Sequence, residues 1–401
     1  MDFDFAAALY YNYYNYKETL LTTRRNKHSD ISKLINKLDD KLFLVSKQGE
    51  SYSGRDIKLI TTGKGRKRIF MWSQMHGDES TATMAIFDIF NFLSGNDGFN
   101  SVRQKIFDNA SLFFLPMVNP DGAEEFVREN YLGIDINRDA IRMQSPEGKI
   151  LRNTFDMVKA DFGFNLHDQN IRYTVGNTYK TAAISFLAPL YNQEGSVNVT
   201  RGNAIKIISG LTRIMNNYIP GHISKYEEEY EPRSFGDTFQ SLGTSTILIE
   251  SGGWKDDKEK QFIRKLNFIL ILTGINSIID NDYESESDEL YNSLSFNKES
   301  LYDLILRNLK IRNEDKECII DIGININEDF DEKSGDTKIS SSIEEVGDLA
   351  NIFGNSEFDL KGYEVEPMNG RLGIGDTPNL QIKKDGQIKY TIANGSLINT
   401  H

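Results

Sequence analysis

The stretch "RIFMWSQMHGDES", residues 68–80, decides how the chain is read. Its apolar run "RIFMW" has the length and composition of a buried strand. The run ends near His76, with Glu79 three residues on, and the next stretch changes period. In "TATMAIFDIFNFL" (81–93), Ala82, Ala85, Ile86, Ile89, Phe90 and Leu93 fall on one face of an amphipathic helix. A histidine and a glutamate therefore sit in a strand-to-helix turn, in a chain that has only five histidines.

Outward from that turn the two periods alternate. "SLFFLPMV", "FGFNLH" and "TSTILIE" read as buried strands. "GKILRNTFDMVKA", "RGNAIKIISGLTRIMNNYI" and "DKEKQFIRKLNFILILTGINSII" read as helices. The expected fold class is α/β: a mixed, largely parallel twisted sheet with helices on both faces. Upstream, "YYNYYNYKETLLTTRR" and "SDISKLINKLDD" predict two helices, the second capped by Ser29 or Asp30. Residues 40–72 predict short strands joined by Gly-rich turns.

Near residue 281 the composition turns acidic ("DNDYESESDE") and then β-rich, with Asp-Gly in "KKDGQIKY" as a hairpin signal. The expected division is a catalytic domain over 1–285 and a small all-β domain over 286–401. The acidic runs "YEEEYE" and "NEDFDEKSGD" read as solvated faces.

The net charge of −13 argues against nucleic acid or an anionic membrane as partner, because nothing neutralises phosphate. The lone Cys318 excludes an internal disulfide and a cysteine-based metal site. Its strand-like run "DKECIIDIG" predicts a buried structural thiol. No basic n-region opens the chain and no run of about 18 apolar residues is evident. The expectation is a cytoplasmic protein without a membrane helix.

The chemistry follows from where the strands end. "RIFMWSQM" runs into His76, "LFFLPMV" into Asn119-Pro120-Asp121-Gly122, "FGFNL" into His167 and "TILI" into Glu250. In open α/β sheets ligands bind beyond the carboxyl ends of the strands. Parallel neighbours would bring His76, Glu79, His167 and Glu250 together there. Two imidazoles and one carboxylate, with a fourth position left for water, are the ligands of a catalytic zinc. Glu250 would remain unligated, placed to take a proton from water and return it to a leaving amine. Each element alone is weak; their joint occurrence at strand ends is specific. His28, His222 and the terminal His401 read as structural or solvent-exposed.

At this point the chain resembles the zinc carboxypeptidases, in their bacterial branch, over roughly residues 10–280. "GESYSGRDI" (49–57), "HGDE" (76–79), "NPDG" (119–122), "RENYLGIDINRD" (128–139), "LHD" (166–168) and "ILIESGG" (247–253) match that family's motifs in order. The resemblance implies one zinc per chain on His76, Glu79 and His167, with Glu250 as general base and acid. It implies that Asn137 and Arg138 hold a substrate's terminal carboxylate and that Arg128 stabilises the oxyanion. The family's mobile tyrosine has two candidates, Tyr226 and Tyr230, of which spacing to Glu250 favours Tyr230. Arg233, with Asp237 in the same loop, falls where the specificity pocket is expected. It either selects an acidic side chain or pairs with Asp237 or the glutamate run.

The reading is a zinc exopeptidase that hydrolyses the C-terminal amide bond of peptides with metal-activated water. The rivals are a deacylase of N-acyl amino acids, an amidase of peptidoglycan peptides and a non-enzymatic binding protein. The substrate is a peptide or an acyl-amino acid; side-chain preference, oligomeric state and the role of the β domain are not encoded legibly.

Overall fold

The computed structural model describes residues 1–313, 316–331 and 336–399. His401 and part of the acidic run at 327–336 lie outside these residues. The chain divides into two compact units. One comprises Met1–Ile171 and Ala182–Asn297; the other comprises Arg172–Thr181 and Lys298–His401.

The first unit is built on an eight-stranded sheet. Its strands are β1 (Leu44–Glu50), β2 (Asp56–Thr62), β3 (Lys67–Ser73), β4 (Ala110–Leu115), β5 (Phe162–Asp168), β6 (Ile184–Leu187), β7 (Ile223–Lys225) and β8 (Ser245–Ser251). The spatial order is β1-β2-β4-β3-β5-β8-β6-β7. The centre, β4-β3-β5-β8, is parallel, as is β6-β7. The junctions β1-β2, β2-β4 and β8-β6 are antiparallel.

Along β3, alternate residues enter two different cores. Ile69 and Met71 face a cluster that includes Met84, Phe90 and Ile271, whereas Phe70 and Trp72 face one that includes Leu151, Phe155 and Phe239. The strand is therefore apolar along its whole length, as a strand covered on both faces must be. The first face carries α1 (Phe3–Asn12), α2 (His28–Ile35), α3 (Thr81–Ser94), α4 (Asn100–Asn109), α5 (Pro120–Glu125), α7 (Val199–Met215) and α9 (Gln261–Asp280). The other carries α6 (Pro146–Val158) and α8 (Phe235–Ser241). This is the expected mixed α/β class.

Five details depart from expectation. The first helix is Phe3–Asn12, earlier than the run 10–25, and α2 starts at His28, where the Asp30 carboxylate accepts the Lys27 amide at 3.3 Å. α3 is buried on nearly every side rather than on one face, with only Asn91 and the C-terminal Ser94 exposed. α9 is long and apolar enough to cross a membrane by length and composition, against the expectation that no such run exists; it is buried inside the unit as a core helix. Cys318 is exposed. The buried face of its strand continues through Ile324, Ile322 and the partly buried Ile320, but the core ends before Cys318.

The segment after α1 is held by charge. Arg264 of α9 and Asp88 of α3 form a fully buried pair, with Nε to Oδ2 at 2.8 Å and Nη2 to Oδ1 at 2.5 Å. Tyr13 and the Glu18 amide donate to the same carboxylate at 2.9 and 2.7 Å, and Arg264 also donates to the Glu18 carbonyl at 2.9 Å. Removing one partner leaves the other charge buried, which costs about 3–5 kcal/mol. Arg264→Met is thus expected to destabilise the protein by that amount in denaturant unfolding, and Asp88→Leu added to it should recover most of the loss. A single-variant loss below about 1 kcal/mol would contradict the assignment.

In the second unit, Leu301–Asn313, Lys316–Asp331 and Asp336–Gly347 pair antiparallel around Leu306, Ile322 and Ile324. The Asp-Gly signal marks a two-residue hairpin: Lys384 pairs with Gln387, and Asp385 and Gly386 take φ of 53° and 75°.

Candidate metal centre and substrate site

The parallel centre delivers the residues to one edge. β3 leads into His76, and β5 and β8 place His167 and Glu250 directly opposite each other in register. His76, Glu79, His167 and Glu250 are all nearly inaccessible to solvent.

The turn after β3 is shaped by backbone proximity. A side chain at Gly77 would place its Cβ 2.0 Å from the carbonyl carbon of Gly122, so the two glycines let the "HGDE" and "NPDG" loops touch. Asn119 caps the short helix Pro120–Glu125 by accepting from the Gly122 amide at 2.9 Å. Asp121 accepts from the Ser51 hydroxyl at 2.7 Å, the Ser53 amide at 2.9 Å and Arg55 at 2.6 Å. Three motifs separated in sequence thus form one clamp beneath the site.

Glu79 lies between the two imidazoles. His76 Nδ1 is 2.7 Å from Glu79 Oε1 and His167 Nδ1 is 2.8 Å from Oε2. The Asp168 amide also donates to Oε2 at 3.1 Å. Burial would raise the Glu79 carboxyl, but the two imidazoles outweigh it and hold the group well below the usual carboxylate range. Burial likewise disfavours a charged His76, yet the charge of Glu79 and the hydrogen bonds that the ring donates to Asp135 and Glu79 lift it to about 9. His167 is pushed down by burial.

Glu250 is pushed well above the ordinary glutamate value, first by burial and then by the charge of Glu79. Burial beside a negative neighbour is how proteins give a carboxyl acid as well as base character.

The donor set suits zinc. His76 Nε2 lies 3.1 Å from Asp135 Oδ1. With one ring nitrogen held by Asp135, His76 can offer the other, Nδ1, to a metal as a neutral imidazole, the tautomer that metal-bound histidines adopt. Nitrogen and oxygen donors of His76, Glu79 and His167 lie within 4.8 Å of one another, compatible with one tetrahedral ion that leaves a position open. His167 Nε2 is buried without a hydrogen-bond partner among the described residues, so the protein alone leaves that ring half satisfied.

Asp135 was not singled out from the sequence. It accepts from His76 through Oδ1, while Oδ2 takes Arg128 Nε at 3.2 Å and Nη2 at 3.0 Å. Its position two residues before Asn137 was the available signal, because a metal-bound histidine usually gives its other nitrogen to a carboxylate. Arg128 is half-exposed, with Nη1 3.4 Å from Glu79 Oε1. It therefore borders the metal centre directly.

Asn137 and Arg138 follow on a short 3₁₀ turn, Ile136–Arg138. Asn137 Oδ1 accepts from the Phe235 amide at 3.0 Å, which ties this turn to the loop before α8. Arg138 is half-exposed, with Nε 3.6 Å from Glu231 Oε2. Arg233 grips the same Glu231 with Nε and Nη2 at 2.9 and 2.5 Å. Asp237 instead accepts from the Glu231 amide at 2.7 Å. Tyr226 and Tyr230 are both half-buried in this loop. The glutamate run is not uniformly solvated: Glu228 pairs with Arg201 and Glu231 with Arg233.

Of the remaining histidines, His28 Nε2 meets the Asp56 carbonyl oxygen at 3.0 Å. His222 lies edge-on to Trp254, with centroids 4.7 Å apart.

Comparison with known proteins agrees with this geometry. Residues 30–183 match the sequence model of the family described as zinc carboxypeptidase. An uncharacterised protein of Zymomonas mobilis is 28% identical over 123 residues, which are 30% of this chain and 32% of that one; the match spans about a third of the relative's length. The fold is similar to that of a metallo-carboxypeptidase from Burkholderia cenocepacia, with TM-score 0.51, 18% identity and coverage of 64% of this chain and 69% of that one. A metallo-carboxypeptidase from Pseudomonas aeruginosa gives TM-score 0.50, 16% identity and coverage of 64% and 69%. The recognition drawn from the motifs therefore holds to this extent: residues 30–183 match the zinc carboxypeptidase sequence model, the fold is similar to that of metallo-carboxypeptidases, and a His-Glu-His set suited to zinc sits where the parallel strands end.

Proposed function

We propose that the first unit is a zinc-dependent exopeptidase that hydrolyses the C-terminal amide bond of peptides. The observation that carries the reading is the meeting of His76, Glu79 and His167 with an unligated Glu250 facing His167 across two parallel strands. A bound zinc supplies a Lewis acid that polarises a carbonyl and makes water a nucleophile near neutral pH. Glu250 takes a proton from the attacking water and delivers it to the departing amine. Arg128, anchored by Asp135 at the rim of the centre, donates to the oxygen on which negative charge develops. Asn137 and Arg138 take the substrate's free carboxylate, for which a planar guanidinium offers two parallel donors.

Elemental analysis of protein purified without chelator should find close to one zinc per chain. His76→Ala and His167→Ala should each lose the metal, and Asp135→Asn should weaken its binding by about 10- to 100-fold. Peptide cleavage should cease on chelation and return with zinc. Full metal retention by both histidine variants would remove the ligand assignment, and undiminished cleavage by the chelated enzyme would remove the metallopeptidase reading.

A further inference from the structure

The carboxylate seat is already occupied by the protein's own charges. Glu231 Oε2 is shared between Arg233 Nη2 at 2.5 Å and Arg138 Nε at 3.6 Å, while Oε1 takes Arg233 Nε and its backbone amide at 2.9 and 3.0 Å. The arrangement is fixed against the turn that carries Arg138. The Ala140 amide donates to the Arg233 carbonyl at 3.0 Å, the Phe235 amide to Asn137 at 3.0 Å, and the Glu231 amide to Asp237 at 2.7 Å. Arg233 nonetheless keeps 56% of its side chain in solvent and Glu231 keeps 27%. This is a braced but accessible ion pair beside the residue that would read the substrate's terminus.

We infer that Glu231 and Arg233 form a mutually masking charge pair that makes the proposed carboxypeptidase select uncharged C-terminal residues. The inference rests on the exopeptidase reading, since it places the substrate's carboxylate on Arg138. Once that carboxylate arrives, Glu231 gives up its weaker contact with Arg138 and remains on Arg233. The terminal side chain then faces a neutral pair. An acidic side chain must compete with Glu231 for Arg233, and a basic one must compete with Arg233 for Glu231. Either must break a bidentate pair to make its own contact, whereas an apolar or neutral side chain breaks nothing. Hydrogen bonding from Arg233, which outweighs the slight effect of burial, holds the Glu231 carboxyl down at about 2, so the mask is ionised throughout the physiological range.

The test compares kcat/KM for peptides identical except for a C-terminal Leu, Glu or Lys, at neutral pH. Wild type is expected to prefer Leu. Glu231→Gln should unmask the guanidinium and raise the Glu-to-Leu ratio by about tenfold. Arg233→Gln should unmask the carboxylate and raise the Lys-to-Leu ratio by about the same factor, the size of one charge-assisted hydrogen bond. The double variant Glu231→Gln/Arg233→Gln should return to the wild-type order, a readout that a loop-bracing role would not produce. Cleavage by all four proteins with unmoved ratios would overturn this inference alone. A zinc-loaded wild type that cleaves none of the peptides would overturn the exopeptidase reading and this inference with it.

Discussion

Glu250→Gln should keep the zinc and the fold and lose about 100- to 10,000-fold in kcat. The side chain is isosteric, and Glu250 lies outside the His76, Glu79 and His167 group assigned to the metal. What the amide loses is the capacity to accept a proton. The buried carboxyl lies beside Glu79 and is pushed up by both burial and that negative neighbour, which is how proteins build a base that also serves as an acid. The measurement is single-turnover hydrolysis on metal-loaded protein, with zinc content determined on the same samples. Turnover near the wild-type rate with full zinc would place the base elsewhere. Loss of zinc would make Glu250 a ligand instead.

The second large effect separates an exopeptidase from a general amidase. Amidating the substrate's C-terminus should cut kcat/KM by about 10- to 1,000-fold, because hydrogen bonds to charged groups are worth roughly 1.5–3 kcal/mol each. Arg138→Ala should lose a similar factor on the free acid and little more on the amide. Arg138→Lys should recover only part, since a point charge cannot reproduce the guanidinium fork. The decisive comparison is a cycle of two substrates against two enzymes. Equal cleavage of acid and amide by the wild type would leave a zinc amidase of another kind.

Much of this was legible in the chain because strands buried on both faces announce themselves as unbroken apolar runs. "RIFMW" and "TILI" could be placed without knowing their partners, and the residues after them stood out because histidine is scarce here. What stayed hidden depends on contacts distant in sequence. The stretch between Tyr13 and Leu21 has helical spacing of apolar residues, yet after a 3₁₀ turn at Tyr13–Asn15 it leaves the helix and is tied through Tyr13 and Glu18 to Asp88 and Arg264. Cys318 keeps the two-residue alternation of a buried face but lies beyond the point where the core ends. Asp135 acts through another residue's far nitrogen, a role that composition does not mark. The Arg233–Glu231 pair was one of several partnerships open to that arginine, and only the folded loop selects among them.

The contact between Gly77 and Gly122 has a consequence for how such chains tolerate change. Neither glycine offers a functional group, yet a methyl at Gly77 would fall 2.0 Å from one backbone atom, and one at Gly122 would fall 2.5 Å from the Glu129 oxygen. No rotamer adjustment can relieve a collision with main chain. Relief would have to come from moving the "HGDE" loop itself, which carries His76 and Glu79. In a saturation library these two positions would therefore be as intolerant as the ligands, and a conservation profile alone would mistake steric necessity for chemistry. Two letters of the signature by which such sites are recognised record an absence of volume.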